Sequence, residues 1–212
     1  MKDAFDALES YPLSGIKNII FDFGGVIVDL DSDGCVARFT QWGLDAERII
    51  GRCVQAGVFS QLEAGTINAE EWTREILRLS GKPYDTDAIK AVMPKVAALW
   101  NSMLAGVPQK RLEALLRLRK SYRTALLSNT NIIHWQHAQQ TMFSWQGHRA
   151  EDFFDFIFLS YEMHEQKPGT AIFRKALESA GFEAHETLFI DDSAENCLAA
   201  ESLGIRTLQV EL

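Results

Sequence analysis

Asp22 is the first residue that points to chemistry, because it interrupts an apolar run. The run covers residues 18–21, and Gly24 and Gly25 follow the aspartate. Its β-branched and aromatic residues favour a strand, and the glycines let the backbone turn sharply and approach a ligand closely. A carboxylate at the end of a buried strand is costly unless a metal ion or a hydrogen-bond donor pairs with it. Asp22 is therefore a candidate for catalysis, and the alternative is a carboxylate that caps a turn.

Further polar groups take similar places along the chain. They are Ser128 and Asn129 after the run 124–127, Lys167 before Pro168, and Asp191 and Asp192 after the run 187–190. Each alone is more often an ordinary turn, a solvated lysine or a helix cap. If the runs are parallel strands, however, their carboxyl ends meet at one edge of a sheet, and these groups converge with Asp22.

The converging groups have the chemistry of phosphoryl transfer. Mg²⁺ typically binds one or two carboxylates together with phosphate oxygens. A hydroxyl, an amide and a lysine can hold a phosphate group. A carboxylate that faces this phosphate can attack it and form an aspartyl-phosphate. The set therefore supplies a nucleophile, a metal site and charge neutralisation.

The segments that carry these groups alternate between strands and helices. Strands are predicted at 18–22, 124–127, 156–159, 187–190 and 205–210, and helices at 108–122, 131–142, 168–180 and 194–203. This alternation predicts an α/β fold with a doubly wound parallel sheet and right-handed crossovers. Residues 1–16 are predicted to be a short lead-in to the first strand.

The span between the first two strands, residues 29–106, has helical periodicity and no strand pattern. Asn68 and Glu71 have the spacing of a capping box. A later apolar stripe is expected to be bent or split at Pro94. An earlier stripe contains Ile49, Ile50, Cys53 and Val54. The span is therefore predicted to be a helical insertion.

Composition limits the partners and the compartment. The chain has 212 residues, a net charge of -8 and a pI of about 5.1, which argues against a large nucleic-acid interface. Its three cysteines are far apart and odd in number, which fits a reducing compartment. No apolar run is long enough to span a membrane, and the acidic N-terminus lacks a signal pattern. A cytoplasmic enzyme or binding protein is expected.

The four polar stretches together resemble the motifs of the haloacid dehalogenase superfamily of aspartate-nucleophile hydrolases. The first motif matches residues 21–26, the second 127–129, the third Lys167-Pro168 with Ile172-Phe173, and the fourth 189–193 with Asn196 beyond. The resemblance covers nearly the whole chain. It implies a Rossmann-like core of residues 1–30 and 106–212 and a small α-helical cap of residues 31–105.

The resemblance also implies a role for each motif residue. Asp22 would be the nucleophile and a Mg²⁺ ligand, together with the Gly24 carbonyl oxygen and Asp192, with Asp191 close by. The phosphoryl group would be held by Ser128, Asn129, Lys167 and Gly25. The expected partner is a small phosphorylated metabolite, and the chain is expected to be a monomer or a homodimer.

One position departs from the family pattern. Most phosphatases of the superfamily have a second aspartate two residues after the nucleophile, which protonates the leaving oxygen, and here that residue is Gly24. The sequence resembles a branch that includes bacterial sugar phosphatases acting on hexose 1-phosphates, which share this glycine, and a sugar phosphate is therefore the preferred substrate class. Glu63 or His164 would then supply the proton, unless each is only a solvated side chain. The alternatives are a 2-haloacid dehalogenase-type hydrolase that needs no metal and a catalytically inactive binding module.

Overall fold

The computed structural model describes residues 3–46 and 56–210. The predicted stripe of Ile49, Ile50, Cys53 and Val54 lies outside the described residues. The strands are β1 (Asn18–Phe21), β2 (Asp29–Leu30), β3 (Leu104–Gly106), β4 (Arg123–Ser128), β5 (Phe156–Leu159), β6 (Thr187–Asp191) and β7 (Arg206–Gln209). The helices are α1 (Ala4–Glu9), α2 (Ser32–Trp42), α3 (Val58–Glu63), α4 (Ala69–Leu79), α5 (Thr86–Asn101), α6 (Gln109–Leu118), α7 (Ile132–Thr141), α8 (Ala150–Phe153), α9 (Ser160–Met163), α10 (Thr170–Ala180) and α11 (Ala194–Glu201), with a 3-10 turn at Ala184–Glu186.

Five strands form a parallel sheet in the order β5-β4-β1-β6-β7. Phe21 at the end of β1 pairs with Leu126 in β4 and Ile190 in β6, so these strands end at the same edge. The Asp22 amide continues the pairing by donating to the Ile190 carbonyl oxygen at 2.9 Å. The predicted doubly wound α/β fold and its five strands are confirmed.

The sheet is covered on both faces, which explains why its strands are continuous apolar runs. Successive side chains point to opposite faces. Ile19 and Phe21 pack in one apolar cluster, and Ile20 packs in another with Phe173 and Phe189. Asp22 comes where this central buried strand ends.

Helices α2 to α5 lie between β2 and β3 and share their own apolar cluster, which contains Phe59, Trp72 and Trp100. The predicted capping box is present, since the side chains of Asn68 and Glu71 each accept from the other's backbone amide. Helix α5 continues through Pro94 and is not split there. Proline removes one backbone donor, and the helix still packs through the buried Val96 and Trp100 on its C-terminal side.

Two features differ from the sequence prediction. Strands β2 and β3 form a short antiparallel ribbon at the ends of the helical insertion, where no strand was expected. Two or three residues are too few to show an alternating pattern. The lead-in contains α1, which Asp3 caps and whose Phe5 stacks on Phe21.

The domain division at 31 and 105 stays a prediction. Among the described residues, no helix has the length and apolar character needed to cross a membrane.

Candidate active site

The strand ends bring Asp22, Lys167 and Asp191 into direct contact. The Lys167 ammonium lies 2.7 Å from Asp22 Oδ1 and 2.7 Å from Asp191 Oδ2. All three side chains are buried. Burial opposes the charge of Lys167, but Asp191 and Asp22 together hold its pKa above the usual range. The sequence prediction that these groups converge is therefore met in the structure.

Asp191 is held by several donors and is fully buried. Besides Lys167, it accepts from the Ser193 amide at 2.8 Å and from the Asn196 side chain at 3.1 Å. Ser193 also caps α11, so the helix start and the carboxylate are fixed together. Asp191 consequently fixes Lys167 rather than facing the cavity beside it.

Asn129 fixes the backbone of Lys167. Its side-chain amide donates to the Lys167 carbonyl oxygen at 2.8 Å, and its side-chain oxygen accepts from the Lys167 amide at 2.8 Å. These reciprocal bonds occupy both ends of the Asn129 side chain. Ser128 is buried at the end of β4. In this arrangement Asn129 contributes to the site by positioning Lys167.

The carboxylates form a candidate metal site. Asp22, Asp191 and Asp192 each offer an oxygen, and these oxygens lie within 4.8 Å of one another. Burial raises the pKa of Asp22 to about 7, and Asp191 and Asp192 add to this rise against the effect of Lys167. A cation at this place would stabilise the charged form of Asp22. Clustered carboxylate oxygens are the ligands that Mg²⁺ prefers, so the residues present fit this ion.

A cavity lies between the strand ends and the helical insertion. Its walls include Asp22, Gly24, Asn129, Thr130, Lys167, Asp192, Ser193 and Asn196 from the sheet side, and Leu30, Glu63, Met103, Leu104 and His134 around them. A Cβ atom added to Gly24 would lie 3.1 Å from Leu30 Cδ1, so the cavity is narrow there. Gly25 forms the turn itself, with a φ of 79° and an amide that donates to the Val28 carbonyl oxygen.

The two candidate proton donors differ in their surroundings. Glu63 is only 8% exposed and lines the cavity. His164 is exposed, and its Nδ1 lies 3.2 Å from the Ala64 carbonyl oxygen. The interpretation of Glu63 as a solvated surface side chain is therefore wrong, whereas His164 contacts the backbone of the segment that carries Glu63.

Two polar residues of the cavity wall, Thr130 and His134, were given no role by the sequence analysis. Thr130 directly follows Asn129, so its place next to the second motif was the available signal. His134 lies in the first turn of α7 and was assigned no role. Burial lowers its pKa to about 4, and its Nε2 lies 3.1 Å from the Trp100 carbonyl oxygen. His134 is therefore neutral and bonded to the helical insertion.

Gly65 is a position where the helical insertion packs tightly on the core. Its φ is +67°, and a Cβ atom would overlap the Tyr161 carbonyl oxygen. We expect Gly65→Ala to lower the free energy of unfolding by about 3 kcal/mol, because it combines left-handed strain with a backbone clash. Gly81→Ala is the matched control, since Gly81 has a φ of +64° and a Cβ atom added there would meet no other atom of the described residues within 4 Å. It should cost only about 1 kcal/mol. Equal losses in urea unfolding would contradict the tight contact.

The chain is similar to known proteins over nearly its whole length. Residues 16–204 match the family of haloacid dehalogenase-like hydrolases. A D-ribitol-5-phosphate phosphatase of Bacteroides thetaiotaomicron is 36% identical over 197 residues, which cover 92% of each sequence. A sesquiterpene phosphatase of Aspergillus oryzae is 27% identical, over 89% of this chain and 87% of the relative. The crystal structure of a wild-type enzyme from Bacteroides thetaiotaomicron with magnesium and inorganic phosphate is 38% identical, with a TM-score of 0.82 over 92% of this chain and 93% of that one.

Proposed function

The chain belongs to the haloacid dehalogenase-like hydrolases, and we propose that within this family it is a Mg²⁺-dependent phosphatase of a small sugar or sugar-alcohol phosphate. The observation that carries the proposal is the cluster of Asp22, Asp192 and Lys167 around one cavity. The relatives support it, since two are named phosphatases and the similar crystal structure holds magnesium and phosphate.

In the proposed reaction, Asp22 is the nucleophile. Its carboxylate attacks phosphorus, the bond from phosphorus to the substrate's oxygen breaks, and an aspartyl-phosphate forms. Water then attacks phosphorus, which releases inorganic phosphate and restores Asp22. Mg²⁺ held by Asp22, Asp192 and the Gly24 carbonyl oxygen would offset the negative charge of the phosphate. Lys167 contributes a second positive charge at the same place.

The other motif residues support this reaction less directly. Asn129 positions Lys167 through its backbone, and Asp191 holds the Lys167 ammonium. Phosphate binding by Ser128 and Gly25 stays a prediction. We also propose that the helical insertion acts as the cap that encloses the leaving group, because Glu63 and Met103 form part of the cavity wall.

The substrate class comes from the relatives and from the cavity. The relative from Bacteroides acts on ribitol 5-phosphate, whose leaving group is a sugar alcohol. The cavity mixes polar groups with the apolar Leu30 and Met103, which suits a small, hydroxylated leaving group. A sugar-alcohol phosphate has a poorer leaving group than a hexose 1-phosphate, so both types belong in a test.

Phosphate release will test the proposal. We expect the enzyme to release phosphate from D-ribitol 5-phosphate or from a hexose 1-phosphate in Mg²⁺, and to lose about 100-fold or more of this activity with chelator, because the carboxylates then lack the cation. The assay measures inorganic phosphate, with 2-chloropropionate and halide release as the parallel control. Halide release without phosphate release would favour the dehalogenase alternative, and neither product would favour a binding module.

A further inference from the structure

Glu63 stands apart among the acidic groups of the cavity. It is the last residue of α3 in the helical insertion, and its buried side chain lines the cavity. In the part of the chain that the structure describes, no hydrogen bond or ion pair engages its carboxyl group. Burial raises the pKa of Glu63 to about 8, and the nearby charge of Asp22 adds to this rise. The group therefore carries a proton at neutral pH, and it lines the same cavity as Asp22.

Other cavity groups are less suited to give a proton to a substrate. His134 is neutral, and its Nε2 is engaged with the Trp100 carbonyl oxygen. Lys167 is fixed between Asp22 and Asp191, and these partners keep its proton in place. Gly24 has no side chain. Among these groups, Glu63 is the one that is both protonated and without a protein partner.

The backbone that carries Glu63 is tied to the core. The Ser160 hydroxyl lies 2.7 Å from the Glu63 carbonyl oxygen and accepts from the Thr130 amide at 2.9 Å. The next residue, Ala64, bonds through its carbonyl oxygen to His164. Gly65 packs against the Tyr161 backbone. These contacts fix the backbone at the end of α3, the segment that brings Glu63 to the cavity wall.

We propose that Glu63 is the general acid of the reaction, an inference that rests on the phosphatase function proposed above. As Asp22 attacks phosphorus, the bond from phosphorus to the leaving oxygen breaks, and this oxygen takes the Glu63 proton to leave as an alcohol. Glu63 becomes a carboxylate. In the second step a water molecule gives one proton to Glu63 while its oxygen bonds to phosphorus, and the bond to Asp22 breaks. The cycle consumes one ester and one water and returns both carboxyl groups to their starting states.

Leaving groups of different acidity will test this role. The leaving group of D-ribitol 5-phosphate is ribitol, which departs as a strongly basic alkoxide unless it is protonated. The leaving group of 4-nitrophenyl phosphate is 4-nitrophenolate, which is stable without a proton. We expect Glu63→Gln to lower kcat/KM, which covers only the steps up to release of the leaving group, by about 100-fold for ribitol 5-phosphate and by less than about threefold for the aryl ester. Hydrolysis of the aspartyl-phosphate is the same step for both esters, so it can lower kcat without affecting this comparison. Glu63→Asp, which keeps an acid, should retain more activity on ribitol 5-phosphate than Glu63→Gln. The exposed Glu178→Gln is the matched control and should leave both rates unchanged.

The outcomes separate this proposal from the phosphatase function. Equal losses of kcat/KM on both esters, or an unchanged kcat/KM of Glu63→Gln on ribitol 5-phosphate, would each overturn the role of Glu63 as general acid and leave the phosphatase intact. Activity on the aryl ester also reports whether the variant is folded. If wild type releases no phosphate from these two esters or from a hexose 1-phosphate, the proposed function itself fails.

Discussion

Asp22→Asn will release essentially no phosphate, with a loss of about 10,000-fold or more, because an amide cannot act as the nucleophile. The fold should persist. The substitution is nearly isosteric and removes a carboxyl group whose burial raises its pKa, so its charge is costly in the folded state. Lys167 keeps its second partner, Asp191. We therefore expect the free energy of unfolding to change by less than about 2 kcal/mol, measured by urea unfolding beside the phosphate assay.

The exposed aspartate at the start of α2 provides the matched control for this substitution. Asp33→Asn makes the same chemical change outside the cavity and should retain wild-type activity. Addition of Mg²⁺ should not rescue Asp22→Asn, because the missing group is the nucleophile as well as a proposed ligand. Substantial phosphate release by a folded Asp22→Asn protein would overturn the aspartyl-phosphate mechanism and leave a direct attack by water as the alternative.

The convergence of Asp22 with Asp191 was predictable because buried parallel strands are visible as apolar runs. Each run has nearly the length of its strand, so the residue after it lies at the edge of the sheet. The sequence did not predict that Asn129 uses both ends of its side chain on Lys167. That arrangement depends on a contact between residues 38 positions apart, which no local pattern encodes.

The burial of Glu63 was also beyond the sequence pattern. Its position follows from the contact between its carbonyl oxygen and Ser160, which is 97 positions away. A glutamate at the end of a short helix is usually solvated, and the local sequence favoured that interpretation. Strands β2 and β3 were missed for a related reason, since their pairing joins two ends of a long insertion.

Lys167→Met will remove the ammonium group between Asp22 and Asp191. The side chain of Lys167 is only 1% exposed, and its two ion pairs are both 2.7 Å long. Breaking a buried pair leaves uncompensated charge, so we expect a loss of about 3–5 kcal/mol in the free energy of unfolding. Phosphate release should fall by about 1,000-fold, because the charge that offsets the phosphate is lost. Urea unfolding and the phosphate assay measure the two effects.

Two further variants distinguish the loss of charge pairing from a simple loss of packing. Lys175→Met removes a half-exposed lysine that pairs with Glu165 and should cost less than about 1 kcal/mol. The double variant Lys167→Met with Asp191→Asn removes the ammonium and one of the carboxylates left beside it. If charge is the cause, this double variant should regain at least about 1 kcal/mol of stability relative to Lys167→Met. We expect the double variant to have as little activity as Lys167→Met, because it also lacks the ammonium group beside Asp22. A double variant less stable than Lys167→Met would show that Asp191 is needed mainly for its bonds to Ser193 and Asn196.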